Sequence, residues 1–153
     1  MRLEKDVEEL LELLNENKVK YCVVGAFAVA FYGIPRFTKD MDILVEPSPP
    51  NSRKILKTLD DFGFGSLGLT EKDFSNLGTV IQIGYEPIRI DILTSVDGCD
   101  FQEIWKNKKT GEYGKQRVHY IGIEELIKNK RISGRLQDKV DVKRLLKRKK
   151  KNK

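Results

Sequence analysis

The alternation of aspartate with apolar residues over 40–45, Asp-Met-Asp-Ile-Leu-Val, is the feature that most constrains the fold. Successive side chains of a strand point to opposite faces, so Asp40 and Asp42 share one face and the residues between them take the other. An ionised carboxylate buried without a partner is costly. The segment therefore predicts a strand with one face in an apolar core and the other open to a cation or to water.

A second strand, predicted over 88–93, repeats this arrangement with Arg89 and Asp91 on one face and isoleucines on the other. Three carboxylates on apolar strands predict a bound cation, because Mg²⁺ is held by a few carboxylates together with substrate phosphate oxygens. Two such ions about 3.5–4 Å apart can activate an attacking hydroxyl and stabilise a leaving pyrophosphate. The alternative is a hydrated sheet face on which the carboxylates pair with Arg89 or Lys39.

The turn Gly25-Ala26 follows an apolar strand predicted over 21–24 and precedes the aspartates. A glycine at this point lets the backbone approach a ligand closely, and the first N–H groups of the following helix are free to bind phosphate. A phosphate-binding turn followed by a carboxylate pair indicates a nucleotide with a metal ion. Arg36 and Thr38 are either further phosphate contacts or ordinary loop residues.

The order of short strands and amphipathic helices predicts a single α/β (α+β) domain with a mixed sheet flanked by helices. A length of 153 residues fits one domain. The strands are predicted over 21–24, 40–46, 80–83, 88–93 and 117–121. The helices are predicted over 3–17, 27–32, 49–62, 70–73, 101–106, 124–132 and 136–147. We expect Ser48 to cap the third helix and a hairpin to join the third and fourth strands.

The net charge of +6 is concentrated at the C-terminal end. Residues 139–153 hold nine basic side chains and one acidic side chain, so the rest of the chain carries a net charge of −2. We expect a domain over 1–146 and a basic tail over 147–153. The tail is either a nucleic-acid contact or a solvated helix end.

The composition, 39% hydrophobic and 34% charged, is that of a globular protein. No apolar run approaches the roughly 18 residues that a membrane-spanning helix needs, and the start of the chain is too acidic for a signal peptide. Cys22 and Cys99 have no metal-ligand spacing and predict reduced thiols. We expect a cytoplasmic protein without membrane contact.

Three other features have ordinary structural interpretations. The stretch 63–68, Gly-Phe-Gly-Ser-Leu-Gly, matches a dinucleotide-binding fingerprint, but it follows a helix instead of a strand and predicts a loop. His119 is the single histidine, and its strand context predicts a core or edge side chain instead of a general base. Phe101 and Trp105, four residues apart on a short helix, are expected in the core.

Several segments together resemble the signature of the nucleotidyltransferase superfamily related to DNA polymerase beta. Residues 23–26, Val-Val-Gly-Ala, and residues 36–44, Arg-Phe-Thr-Lys-Asp-Met-Asp-Ile-Leu, match its strand, turn and D-x-D strand. Residues 89–93 match the strand of its third acid. Residues 126–138 are similar to a C-terminal K-x-x-x-G-R-x-x-D element of small bacterial and archaeal members, including relatives of the toxins of abortive-infection toxin–antitoxin pairs.

The resemblance implies the nucleotidyltransferase fold and a metal-dependent enzyme that transfers a nucleoside monophosphate from a nucleoside triphosphate to an acceptor hydroxyl. Asp40 and Asp42 would bind both metal ions, Mg²⁺ or Mn²⁺, in a two-metal mechanism. Asp91 would bind one ion and receive the proton of the acceptor. Gly25 and Ala26 would hold the triphosphate.

The resemblance also implies that Lys130 neutralises phosphate charge. Ala26 is a departure from the pattern, because many members have a serine there whose hydroxyl points at a phosphate. Nothing in the chain resembles a separate acceptor-binding domain. The acceptor, which is RNA, protein or a small molecule, would therefore bind this domain, a partner subunit or a second copy in a homodimer.

Two other functions remain open from the sequence. One is a nucleotide-binding or regulatory subunit without catalysis, as in a toxin–antitoxin pair. The other is a nucleic-acid-binding accessory protein that acts through its basic tail.

Overall fold

The computed structural model describes residues 4–36, 38–84 and 89–151. The strands are β1 Tyr21–Val24, β2 Asp40–Val45, β3 Val80–Ile83, β4 Arg89–Leu93, β5 Lys109–Tyr113 and β6 Gln116–Tyr120. The helices are α1 Lys5–Glu16, α2 Gly25–Phe31, α3 Pro49–Asp61, α4 Glu71–Ser75, α5 Phe101–Lys106, α6 Ile123–Ser133 and α7 Leu136–Lys151. Phe37 and Ile88, which the sequence places in the site segments, lie outside the described residues.

The strands form one mixed sheet in the order β3-β4-β2-β1-β6-β5. β2 pairs in parallel with β4, and β1 pairs in parallel with β6, whereas the other neighbours are antiparallel. The predicted fold class, a mixed sheet with helices in a single domain, is confirmed. The predicted hairpin is also confirmed, because β3 and β4 are antiparallel neighbours, and residues 85–87 of its turn lie outside the described part.

The strand predicted over 117–121 is observed as β6, and a strand that the sequence analysis did not predict, β5, pairs with it along the edge of the sheet. The sequence of β5, Lys-Thr-Gly-Glu-Tyr, has no apolar alternation. Its Gly111 leaves room for the ring of Phe31, which lies 2.4 Å from where a Cβ would stand. The edge strand is thus defined by pairing and by this close approach more than by its own side chains.

The two faces of the sheet are covered by different helices. The side chains of α1 and α3 pack on one face with Met41, Ile43 and Val45 of β2. Helices α5, α6 and α7 pack on the other face, where Leu44 is buried. Asp40 and Asp42 belong to this second face, as their alternation with Met41 predicts. The site therefore faces the C-terminal helices of the chain.

Helix boundaries follow local capping chemistry. Ser48 Oγ accepts a hydrogen bond from the Asn51 backbone N–H, which confirms the predicted cap of α3. The predicted loop after α3 contains a single 3₁₀ turn, Gly65–Leu67. Helix α7 runs to Lys151, so residues 147–151 of the expected tail continue that helix. None of the helices described is both long enough and apolar enough to cross a membrane.

Candidate active site

The register of the central strands places Asp42 and Asp91 side by side. β2 and β4 are parallel neighbours, and Asp42 of one strand is the Cα partner of Asp91 of the other. Gln82 of β3 is the antiparallel partner of Asp91, and its Nε2 donates a hydrogen bond to Asp91 Oδ1 over 3.0 Å. We call Asp42 and Asp91 the acid pair. Gln82 was not anticipated from the sequence, although its place opposite Asp91 follows from the hairpin.

The acid pair is electrostatically frustrated. Partial burial, followed by charge repulsion from the neighbouring carboxyl of Asp91 and a hydrogen bond with it, raises the pKa of Asp42 to about 7. Asp40 adds a smaller repulsion, and Lys130 opposes the shift only weakly. A carboxyl group in this situation gains its charge readily only when a cation is close.

Gly25 lies directly against the acid pair. Its φ of +65° is in the left-handed region that favours glycine. A Cβ on Gly25 would stand 2.3 Å from Asp42 Oδ2, which no side chain can occupy. The contact arises because Val24, the last residue of β1, is the antiparallel partner of Asp42. The predicted turn therefore brings backbone, and not a side chain, next to the carboxylate.

A cavity of about 590 Å³ opens at this point, which we call the central cavity. All eight residues predicted for the site line it, namely Gly25, Ala26, Arg36, Thr38, Asp40, Asp42, Asp91 and Lys130. Val80, Leu93, Arg135, Gln137 and Asp138 complete its lining. The structure thus brings together residues that are separated by up to 105 positions in the sequence.

Thr38 has a structural task at the edge of the central cavity. Its hydroxyl donates to the Asp40 carbonyl oxygen over 3.0 Å and lies 3.3 Å from the Asp40 backbone nitrogen. These local bonds fix the start of β2 immediately before the first aspartate. Thr38 therefore holds the backbone of Asp40 in place as well as lining the cavity.

The side chain of Lys130, a residue of α6, contacts α7 beside the central cavity. Its side chain is only 8% exposed, and Nζ lies 3.1 Å from Asp138 Oδ1 and 3.0 Å from Asp141 Oδ2. Arg36 Nη1 also donates to Asp141 Oδ2. We call these four residues the Lys130 cluster. Lys130 and Arg36 both line the central cavity. Their positive charges are already paired with the buried carboxylates of Asp138 and Asp141.

The carboxylates of the Lys130 cluster are satisfied. Burial alone raises the pKa of Asp141, but hydrogen bonds from Arg36 and Lys130 outweigh it and leave the pKa below its ordinary value. The pKa of Asp138 is likewise lowered, because hydrogen bonds from Lys130 and Arg135 outweigh its burial.

Asp141 was missed by the sequence analysis. The available signal was its position as the one acidic residue among the nine basic side chains of 139–153. A single acidic residue within a basic run suggests a specific ion pair. In the structure, Asp141 forms ion pairs with Lys130 and Arg36.

The other sequence features occupy ordinary places. His119 packs between the rings of Tyr21, at 5.4 Å, and Trp105, at 5.3 Å, and its pKa is lowered by burial and by nearby cations. Phe101 is buried and stacks on Trp105 with ring centroids 5.8 Å apart. None of these rings lines the central cavity.

Comparison with known proteins decides the family. A family model described as "Nucleotidyl transferase of unknown function (DUF2204)" matches residues 3–153. The chain belongs to this nucleotidyltransferase family. Among curated proteins, none matches the sequence significantly.

Solved structures show that this nucleotidyltransferase shares its fold with distant proteins. A candidate nucleotidyltransferase from Thermotoga maritima has a TM-score of 0.62 at 18% identity, covering 92% of this chain and 90% of that one. The lincosamide antibiotic adenylyltransferase LnuA, bound to lincomycin, has a TM-score of 0.55 at 20% identity, covering 93% and 95%. An antigenic nucleotidyltransferase-like protein from Paracoccidioides brasiliensis has a TM-score of 0.52 at 15% identity, covering 95% and 77%.

A divalent ion is the group that a nucleotidyltransferase of this fold usually requires. Across residues 4–36, 38–84 and 89–151, no three His, Cys, Asp or Glu side chains are already gathered in the manner of a metal site. The acid pair nevertheless suits a hard cation in its chemistry, because both groups offer carboxylate oxygens and repel each other without one. The missing Cβ of Gly25 leaves room for Asp42 Oδ2, so this carboxylate lies directly against the backbone of the turn.

Proposed function

We propose that this nucleotidyltransferase moves a nucleoside monophosphate from a nucleoside triphosphate to an acceptor hydroxyl and releases pyrophosphate. The observation that carries the proposal is the central cavity, because it is lined by four aspartates, a glycine turn and three cationic side chains. Carboxylates supply sites for a divalent ion, whereas backbone N–H groups and cations supply sites for phosphate. A cavity that offers both suits a metal–triphosphate complex.

The phosphates would bind on the side of the cavity formed by Gly25, Ala26 and Arg36. The backbone at Gly25 is accessible because that position has no side chain, and Ala26 has a small one. Arg36 is held by Asp141, which orients the guanidinium and leaves its remaining N–H groups free to donate. Lys130 adds positive charge behind this surface while bound to Asp138 and Asp141.

Asp40, Asp42 and Asp91 would hold the divalent ion, Mg²⁺ or Mn²⁺. When bound, such an ion polarises phosphate oxygens and neutralises the charge that develops on them. Asp42 is the residue whose charge depends most on a nearby cation, since its pKa lies at about 7. Asp40 contributes from the same face of β2, and Thr38 fixes its backbone.

In the transfer step, the acceptor oxygen would form a bond to the α-phosphorus while the bond from that phosphorus to the bridging oxygen of pyrophosphate breaks. The electron pair of the broken bond leaves with pyrophosphate, and the proton of the acceptor passes to Asp91. Gln82 fixes the Asp91 carboxylate through its 3.0 Å hydrogen bond and so orients the proton acceptor. Positioning and charge neutralisation supply most of the rate.

The test uses nucleoside triphosphates labelled on either the α- or the γ-phosphate, incubated with Mg²⁺, total RNA and a cell lysate. We expect the α label to enter an acceptor and the γ label to leave as pyrophosphate. Asp40→Asn should abolish this transfer, whereas Asp6→Asn, an exposed aspartate in α1, should leave it unchanged. Transfer of the γ label would instead indicate a kinase and would contradict the proposal.

The second function, nucleotide binding without catalysis, is favoured by one observation. Ala26 lines the central cavity but has no hydroxyl to donate to a phosphate. Under this alternative, calorimetry would detect binding of metal–triphosphate by the wild type, while no acceptor would become labelled. Ala26→Ser would then be expected to restore measurable transfer if the hydroxyl is the missing component.

A further inference from the structure

A second cavity, of about 410 Å³, lies beside the C-terminal half of α7, and we call it the basic cavity. One wall is the turn after α2, and the other is a row of basic side chains. Its lining consists of Gly33, Ile34, Pro35, Arg144, Lys147, Arg148 and Lys151. No acidic residue belongs to this lining.

The four basic side chains share one face of α7. Their spacing of three, four and seven residues from Arg144 is the spacing of neighbours along a helix surface. Within the described part of the chain, no ion pair joins Arg144, Lys147 or Lys151 to a carboxylate. Like charges at this spacing destabilise a helix. Their repulsion is relieved when an anion binds along the row.

Arg148 is held in a fixed position on the wall of the basic cavity. Its Nη2 donates a 2.9 Å hydrogen bond to the carbonyl oxygen of Gly33. Gly33 has a φ of +85°, and a Cβ there would stand 3.1 Å from Arg148 Nη2. The glycine therefore permits both the turn and the close approach of the guanidinium. The acceptor of this bond is a neutral carbonyl, and among the residues that the structure describes no carboxylate forms an ion pair with Arg148.

The basic cavity is continuous with the candidate active site along the chain. Pro35 lines the basic cavity, and its neighbour Arg36 lines the central cavity. Arg36 is also bound to Asp141, one turn before Arg144 on α7. A linear polyanion lying along α7 would therefore lead to the cavity that holds the acid pair.

We propose that the basic cavity and its helix face bind the phosphate backbone of a single-stranded nucleic acid whose terminal hydroxyl is the acceptor. The inference rests on the proposed nucleotidyl transfer and names its substrate class. Arg144 to Lys151 covers about 10 Å of helix, so the row suits several phosphates in succession instead of one. The groups that bind are phosphodiesters, which RNA and DNA share, and the terminal sugar distinguishes the two sources.

The experiment measures binding of fluorescent single-stranded oligonucleotides of about 10 nucleotides by anisotropy, with RNA and DNA in separate arms. Salt is varied from about 50 to about 200 mM, where the logarithm of affinity falls with a slope of about 0.7 per phosphate contacted. Four cations predict a slope of about −3 when the logarithm of affinity is plotted against the logarithm of salt concentration. The double variant R144E/K147E should reduce the magnitude of this slope to about 1.4 or less, with at least about a tenfold loss of affinity at low salt.

The matched control is K143E/K150E, which makes the same charge change in exposed residues on a different face of α7. We expect this control to retain most of the affinity and most of the slope. Equal losses in the two double variants would mean general charge attraction and would overturn the assignment to the basic cavity. Absence of salt-dependent binding by the wild type would overturn it as well.

Two further measurements separate this inference from the proposed function. Calorimetric affinity for metal–triphosphate should be the same in R144E/K147E and the wild type, because neither residue lines the central cavity. Transfer of α label to the bound RNA or DNA should fall in parallel with oligonucleotide affinity. If the wild type labels only proteins or small molecules, the acceptor assignment is wrong while nucleotidyl transfer stands.

Discussion

Two groups of aspartates at the central cavity differ in their electrostatic surroundings: Asp42 and Asp91 line the cavity, whereas of Asp138 and Asp141 only Asp138 does. Asp42 lies beside Asp91, and its pKa rises to about 7 through burial and repulsion. Asp138 and Asp141 expose almost no surface to solvent, yet their pKa values are lowered because Lys130, Arg36 and Arg135 bind them. Burial raises the pKa at all three aspartates, and bound cations outweigh it only at Asp138 and Asp141. Asp138 and Asp141 are thus paired with cationic side chains, whereas Lys130 opposes the shift at Asp42 only weakly.

The Lys130 cluster and the acid pair therefore affect the stability of the protein in different ways. The Lys130 cluster joins α6, α7 and the segment before β2, so its ion pairs contribute to the stability of the fold. The acid pair costs stability in the absence of a cation, and such a cost is typical of residues retained for function. The same substitution, aspartate to asparagine, should therefore have opposite effects at the two places.

The largest expected effect concerns turnover at the acid pair. Asp91→Asn should lower the rate of nucleotidyl transfer by about a thousandfold, as expected when a proton acceptor is removed. Its affinity for metal–triphosphate should stay within about tenfold of the wild type, or about 1.4 kcal/mol. Label transfer and calorimetry measure the two quantities. Unchanged transfer would remove Asp91 from the mechanism.

The next largest effect concerns stability at the Lys130 cluster. Asp141→Asn should lower the free energy of unfolding by about 3 kcal/mol, because it removes the charged partner of Arg36 and one of the two carboxylates that bind Lys130. Since the folded pKa of Asp141 lies below its ordinary value, this stabilisation is present at neutral pH and is lost as the pH falls through the folded pKa. Urea unfolding of the wild type and the variant at several pH values tests both points.

A smaller effect of opposite sign is expected at Asp42. Without metal, Asp42→Asn should stabilise the protein by about 2 kcal/mol near pH 8, about half of the roughly 4 kcal/mol that the difference in pKa corresponds to, because Asp42 is only half-buried and solvent screens part of the repulsion. The folded pKa of Asp42 is about 7 and the unfolded value is about 3.9. The wild type therefore loses stability as the pH rises between these values, and the advantage of the variant should shrink toward pH 4. Thermal melting in EDTA measures it, and a destabilised variant at pH 8 would contradict the frustration of the acid pair.

The smallest effect is the response of stability to metal. At about ten times its dissociation constant, Mg²⁺ or Mn²⁺ should stabilise the wild type by about 1.4 kcal/mol, which raises the melting temperature by about 3–6 °C. Asp42→Asn should lose most of this rise, whereas Asp141→Asn should keep it despite its lower starting temperature. An equal rise in the wild type and Asp42→Asn would place the metal elsewhere.

The acid pair could be anticipated from sequence because its pattern is local. Strand alternation places Asp40 and Asp42 on one face, and the same rule applies to Asp91. The glycine turn was identified for a similar reason, since its conformational demand is carried by one residue, Gly25. The two aspartate strands come together because β2 and β4 are neighbours in the sheet. The glycine turn joins them because β1 lies on the other side of β2.

The Lys130 cluster could not be anticipated in the same way, because its ion pairs depend on how α6 and α7 pack. The family resemblance implied that Lys130 neutralises phosphate charge, and the packing of α6 on α7 shows that its charge is shared with Asp138 and Asp141. Strand β5 also escaped prediction, since its polar residues carry no alternating pattern and only pairing with β6 defines it. In both cases the information lies in the partner segment.

The bond between Arg36 and Asp141 limits how early the central cavity can assemble during synthesis, because the two residues are 105 positions apart in the chain. At a synthesis rate of about 5–20 residues per second, the ribosome makes Asp141 about 5–20 s after Arg36. The acid pair and the glycine turn thus emerge long before the helix that braces the opposite wall. A nascent chain therefore carries the acidic residues without the assembled cavity until α6 and α7 have been made.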